Sequence, residues 1–143
     1  MRHREGKRPE WRSNTLWLLT GRRVVNIDHV QLAMPEGGEP EARAFFVGLL
    51  GMREEAKPAE LAARGGCWFR LDTCRVHLGI DADFRPQRKA HPAFAVRDLD
   101  ELAERLTSAD REVRWDSSIP GTTRFFTDDP FGNRLEFIAA SGG

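Results

Sequence analysis

Two stretches of the chain show the same succession of hydrophobic and polar positions. Each stretch opens with a segment in which apolar and polar residues alternate, as in a half-buried strand, and continues with a segment of helical spacing. Three short alternating segments then complete the stretch. The pattern predicts a single α+β domain of two βαβββ modules, module one at 24–82 and module two at 89–140, whose strands form a cupped mixed sheet.

Turn and capping residues set the limits of the predicted elements. Gly51 ends the helix of module one, and Asp98 is the N-cap of the helix of module two. A two-residue turn at 72–73 joins two strands of module one into a hairpin. The predicted strands are 24–34, 53–56, 67–71, 75–80, 91–96, 112–116, 122–127 and 134–139, and the predicted helices are 41–50 and 98–109.

Strand alternation brings four potential metal ligands to the polar faces of the strands. His29 and His77 belong to module one, and His91 and Glu136 hold the corresponding positions in module two. The carboxylate of Glu136 lies in an otherwise apolar strand, where an unpaired charge is costly. Three imidazoles and one carboxylate suit Zn, Ni, Co, Mn or Fe(II), so the sequence predicts one divalent transition-metal site. The alternative is that these histidines are polar lining that only forms hydrogen bonds.

Three further side chains share the polar face of the predicted hairpin with His77. Trp68 lies directly across from His77, and Arg70 and Arg75 flank this pair. The arginines either hold a carboxylate or phosphate of a substrate or form ion pairs with acids at the rim of the hairpin. Trp68 forms either an aromatic wall of the site or ordinary packing. We treat these three residues as candidate substrate-binding residues.

Composition and charge narrow the classes of function. The 143 residues contain 22 basic and 22 acidic side chains, so no overall charge attracts nucleic acid. Basic residues concentrate in 1–23, which we expect to be an extension outside the folded core. No segment has the pattern of a secretory signal or a membrane span, so we expect a cytoplasmic protein. The chain has no tyrosine, which excludes any mechanism that needs a phenol.

Several motifs together resemble the vicinal oxygen chelate superfamily, which includes glyoxalase I, the bleomycin-resistance proteins and the extradiol dioxygenases. The resemblance covers about 24–139, and its most specific part is DPFGNRLEF. It implies paired βαβββ modules around one divalent metal, held at the positions of His29, His77, His91 and Glu136. It also implies a homodimer, because many relatives build the cup from halves of two chains. The other motifs are IDHVQL, GLLGM, RGGCWFRL, VHLGI, KAHPAFAV and DLDEL.

The resemblance implies a lyase or isomerase that binds a small substrate through neighbouring oxygens and stabilises the oxyanion or enediolate that forms. Glu136 or His77 is then the expected catalytic proton shuttle. Glyoxalase I usually has glutamate where this chain has His77, so the proton-transfer chemistry of that enzyme is one option among others. The main rival is a metal-free protein that sequesters a ligand, as bleomycin-resistance proteins do. The absence of tyrosine argues against a ring-cleaving dioxygenase and against fosfomycin resistance.

Overall fold

The computed structural model describes residues 23–142, so the predicted extension at 1–23 lies outside the described residues except for Arg23. Within this range, eight strands and three α-helices follow one another in the order that the repeat predicts, apart from one short extra helix. The strands are β1 (Val30–Met34), β2 (Arg53–Glu55), β3 (Cys67–Leu71), β4 (Cys74–Ile80), β5 (Ala93–Val96), β6 (Arg114–Asp116), β7 (Arg124–Asp128) and β8 (Arg134–Ala139). The helices are α1 (Glu39–Arg43), α2 (Ala59–Ala62) and α3 (Leu99–Ser108), and a π-helix (Ala44–Leu49) directly continues α1.

The strands form two four-stranded mixed sheets with the same topology. The first sheet has the order β1-β4-β3-β2, and the second has the order β5-β8-β7-β6. In each sheet the first strand of the module pairs in parallel with the last, and the other neighbours are antiparallel. This arrangement confirms the predicted α+β fold of two βαβββ modules.

The hairpin of β3 and β4 has the predicted two-residue turn. Leu71 pairs with Cys74 and Trp68 pairs with His77. Asp72 occupies the turn with a φ of 50°, a left-handed conformation that aspartate tolerates better than most residues. Cys67 pairs with Leu78, so the two cysteines do not face each other, and both are free thiols.

The first strand is shorter than the sequence predicts. β4 supplies partners for Val30 to Met34 and for no residue before them. Val24, Val25 and Ile27 are 73–85% exposed. Alternation alone therefore overestimates the strand, because backbone pairing also needs a neighbouring strand of the same length.

The two main helices differ in regularity. Asp98 caps α3 as predicted, since its side chain accepts a hydrogen bond from the Glu101 amide. In module one, the backbone hydrogen bonds of the π-helix span five residues, so the amide of Leu50 donates to the carbonyl of Phe45. Gly51 then ends the segment with a φ of 73°. No helix within 23–142 has the length and hydrophobicity that crossing a bilayer requires.

The two modules share one hydrophobic core. Aromatic rings from both sheets contribute to it: Phe46 stacks on Phe69 at 5.2 Å, and Phe125 lies 5.4 Å from Phe137. The apolar faces of both sheets are therefore buried within the chain, and their polar faces are left for function.

The DPFGN turn between β7 and β8 joins the modules. The buried Asn133 side chain donates to the carbonyl of Ala33 at 2.8 Å, and its oxygen accepts from the amide of Gln87 at 3.0 Å. Phe131 packs so closely on Gly38 that a Cβ at Gly38 would lie 2.6 Å from the ring. The DPFGN motif therefore links module two to β1 and to the connection between the modules.

Candidate metal centre in two half-sites

His91 and Glu136 form the first pair of potential ligands. β8 presents Glu136 beside Ala93 of β5, and His91 stands two residues before that strand. The Nε2 atom of His91 lies 3.0 Å from Oε2 of Glu136, and Nδ1 lies 2.8 Å from the carbonyl oxygen of Lys89. A carbonyl oxygen only accepts, so Nδ1 carries a proton and Nε2 points at the carboxylate. An imidazole that donates its other N–H to a backbone carbonyl is the usual arrangement of a metal-binding histidine.

Arg124 holds the other oxygen of the same carboxylate. Its guanidinium donates to Oε1 of Glu136 at 3.0 Å and to Asp116 at 3.2 Å. Hydrogen bonds from Ser118, together with Arg124, lower the pKa of Asp116. Arg124 is not among the site residues predicted from the sequence, although alternation on β7 places it on the same face as Phe126, the register partner of Glu136.

His29 and His77 form the second pair. Their rings stack with centroids 4.1 Å apart, and Trp68 stacks on His77 at 4.1 Å with nearly parallel planes. Burial, and to a lesser degree the neighbouring His29, lowers the pKa of His77, which favours its neutral form. The Nδ1 atom of His29 lies 2.9 Å from Asp28, and this hydrogen bond lowers the pKa of that carboxyl. Both histidines are thus able to offer a ring nitrogen to a metal.

The two pairs belong to the two different modules of the chain. Within residues 23–142, no group of three or more histidine, cysteine, aspartate or glutamate side chains is placed to hold one metal ion. One chain therefore brings together His29 with His77 and His91 with Glu136, and does not bring the two pairs into one cluster. We call these pairs the module-one half-site and the module-two half-site.

The other candidate residues lie around the module-one half-site. Arg70 donates to the carbonyl of Asp72 at 2.7 Å and lies 3.4 Å from Glu55. Arg75 lies 3.7 Å from Asp28, the carboxylate that also contacts His29. Both arginines have acidic neighbours, as the alternative interpretation of the sequence expects.

The chain belongs to the Glyoxalase/Bleomycin resistance protein/Dioxygenase superfamily, whose family model matches residues 26–137. This agrees with the two-module fold and with the stretch of chain that carries the motifs. No curated protein matches the chain.

Solved structures of the same fold include one relative of substantial sequence identity. A protein assigned to the glyoxalase family from Bacillus anthracis is 45% identical with a TM-score of 0.81, over 85% of this chain and 99% of its own. The fosfomycin resistance protein FosX from Listeria monocytogenes is 15% identical with a TM-score of 0.67, over 82% of this chain and 95% of its own. A crystal structure of a point mutant of that Listeria protein contains Mn(II) and 1S,2S-dihydroxypropylphosphonic acid. At 15% identity, the likeness to FosX concerns the fold alone.

Proposed function

We propose that this protein is a glyoxalase-like metalloenzyme that acts as a homodimer on a small molecule. One divalent transition metal is held by His29 and His77 of one protomer together with His91 and Glu136 of the partner subunit. The observation that carries the proposal is the His91–Glu136 contact, with Nδ1 tied to the Lys89 carbonyl and Nε2 directed at the carboxylate. A second copy of the chain supplies the half-site that one copy lacks.

The chain's own residues fit the chemistry of a lyase or isomerase. A bound divalent metal supplies a Lewis acid for two neighbouring oxygens of the substrate. Glu136 and His77 are the groups able to move a proton at that site, and Arg124 orients the carboxylate through its outer oxygen. Trp68 covers one face of His77 and thereby keeps water from that side of the ring.

We place this activity in the cytoplasm. The support is chemical: Cys67 and Cys74 are both free thiols, which suits a reducing compartment.

The rival function is ligand sequestration without a metal. It is favoured by the stack of Trp68, His77 and His29, because an aromatic platform also suits a planar ligand. In that case the histidines line the binding site and do not bind a metal.

Metal content per chain decides between the two functions. Untagged protein purified without chelators is analysed by elemental mass spectrometry, and we expect about one transition-metal ion per protomer. His29→Ala and Glu136→Ala should each remove most of the metal, whereas Cys74→Ala, the control, should retain it. A protein that is metal-free as purified and refuses added Zn, Ni, Mn and Fe(II) would contradict the proposal and favour sequestration.

A further inference from the structure

Arg124 lies between two carboxylates, and one of them belongs to the module-two half-site. Its register partner on β6 is Asp116. On β8 it lies diagonal to Glu136, because Phe126 is the residue that pairs with Glu136. The guanidinium contacts both carboxylates, at 3.2 Å for Asp116 and at 3.0 Å for Glu136. The position of Arg124 therefore depends on both of these acids.

The contacts at the two ends of Arg124 are unequal. Nε and Nη2 both donate to Oδ1 of Asp116, at 3.2 Å each, whereas Nη1 donates to Oε1 of Glu136. A guanidinium binds a carboxylate most strongly when one edge of its planar fork donates two hydrogen bonds together. Asp116 occupies the edge formed by Nε and Nη2, so Glu136 receives the remaining Nη1.

Asp116 is itself held in place by the loop that follows β6. The amide and the hydroxyl of Ser118 donate to Oδ1 of Asp116 at 3.0 and 2.6 Å. These two bonds are the main cause of the lowered pKa of Asp116, so its carboxylate is ionised at neutral pH. The ring of Phe126 packs on the guanidinium of Arg124 at 5.1 Å. A fixed anion and an aromatic ring thus define where the guanidinium lies.

The second oxygen of Glu136 is the one that the candidate metal centre needs. Oε2 faces Nε2 of His91 at 3.0 Å, while Arg124 contacts Oε1. If the guanidinium turned a full edge of its fork toward Glu136, it would engage both oxygens and compete with a metal ion for Oε2. That movement would break the two hydrogen bonds from Arg124 to ionised Asp116. The Arg124 side chain is only 17% exposed, so water replaces those bonds poorly.

We propose that Asp116 is a positioning residue of the metal centre, which keeps Arg124 on one oxygen of Glu136 and thereby leaves the other oxygen to the metal. The inference rests on the proposed function for the metal and on the contacts above for the arginine. Asp116 acts through Arg124. Removal of its charge should therefore weaken metal binding even though the ion pair between Arg124 and Glu136 is kept.

The test compares two aspartates that each pair with an arginine across β6 and β7. Asp116→Asn removes the anion beside Arg124, whereas Asp128→Asn, the matched control, removes the partner that Arg114 contacts at 2.9 Å. Metal affinity is measured by competition with a chromophoric chelator. We expect Asp116→Asn to weaken metal binding about tenfold and Asp128→Asn to leave it unchanged. Asp116→Glu keeps the charge and should recover part of the loss.

A double variant shows whether Asp116 acts through Arg124. In that case Arg124→Gln combined with Asp116→Asn should bind the metal as Arg124→Gln alone does, about tenfold more weakly than the wild type. A double variant about a hundredfold weaker would mean two independent losses and would overturn the inference. An unchanged affinity in Asp116→Asn would also overturn it, and so would an equal loss in Asp128→Asn.

A crystal structure of metal-free Asp116→Asn separates this inference from the proposed function. We expect both oxygens of Glu136 to accept hydrogen bonds from Arg124 in it, since the fork is then free to turn. A guanidinium that keeps its single contact would overturn the inference whatever the metal content. If the wild type bound no metal and the variant showed the contact to both oxygens, the proposed function would be wrong, while the control of Arg124 by Asp116 would stand.

Ser118→Ala keeps the inference testable if Asp116→Asn does not fold. Ser118 is exposed, and its hydroxyl is one of the groups that fix the carboxylate of Asp116. We expect Ser118→Ala to weaken metal binding by a smaller factor than Asp116→Asn, in the same direction. An unchanged metal affinity in Ser118→Ala would then count against the inference and overturn it.

Discussion

At the scale of single residues, Arg124 determines how the carboxylate of Glu136 is presented. The guanidinium binds Oε1, which leaves Oε2 for the side that faces His91. The Glu136 carboxylate is almost fully buried, so these two neighbours account for both of its oxygens. Alternation of apolar and polar residues predicted that Glu136 lies on the polar face of its strand. It did not predict Arg124 as the partner of Glu136, because the distance between side chains on adjacent strands depends on the register of the strands.

Replacing Arg124 tests its role as a positioning residue. We expect Arg124→Gln to weaken metal binding about tenfold, because the loss of an outer-shell partner frees the ligand to rotate. Affinity is measured by competition with a chromophoric chelator, with Arg53→Gln, an exposed arginine of module one, as the control. Partial recovery in Arg124→Lys would support positioning, and an unchanged affinity in Arg124→Gln would contradict it.

The two thiols should differ in reactivity. Burial raises the pKa of Cys67 from 9.0 to about 11, and Cys67 is 1% exposed, whereas Cys74 is half-buried. Iodoacetamide at pH 8 should therefore modify Cys74 well before Cys67 in the native protein, and both at similar rates in urea. The raised pKa means that the thiolate of Cys67 is disfavoured in the folded state. The free energy of unfolding should therefore also fall as the pH rises from 9 toward 11. Peptide mass spectrometry checks the labelling, and equal native rates would refute the prediction.

At the scale of elements, the limits of a strand were predicted best where the alternation of residues is clear and a well-defined turn adjoins the strand. β3 and β8 begin and end where the sequence predicts, and the register of the β3–β4 hairpin follows from its two-residue turn. The sequence pattern did not indicate α2, a four-residue helix too short to show a helical period. It also did not find the π-helix, since local spacing does not distinguish that hydrogen-bond pattern from an α-helix.

The DPFGN turn offers a test at this scale. Asn133→Ala removes hydrogen bonds to Ala33, Gln87 and Asp129 in a buried site, and we expect it to lower the free energy of unfolding by about 3 kcal/mol. Urea denaturation measures the change. Asn26→Ala, an exposed position outside the strands, should shift stability by no more than about 0.5 kcal/mol. A similarly small shift in Asn133→Ala would show that the turn does not hold the modules together.

At the scale of the whole molecule, the sequence predicted which side chains face away from the core and not which of them meet. Strand alternation assigns each ligand to the polar face of its sheet. The relative placement of two sheets depends on how their apolar faces pack, and here both faces are buried in one shared core. The His29–His77 and His91–Glu136 pairs therefore lie apart in one chain, and the proposed centre needs a second copy.

Mixing two inactive variants tests whether the centre is shared between chains. His29→Ala damages the module-one half-site and Glu136→Ala damages the module-two half-site, so each homodimer should lack most of its metal. In a shared arrangement, a mixed dimer has one centre with both defects and one centre with neither. Equal mixing with subunit exchange should then restore about one quarter of the wild-type metal. If the centre closed within one chain, every centre in the mixture would carry a defect and no metal would return. Mixing His29→Ala with His77→Ala is the matched control. Both changes damage module one, so every centre in the mixture carries a defect and no metal should return.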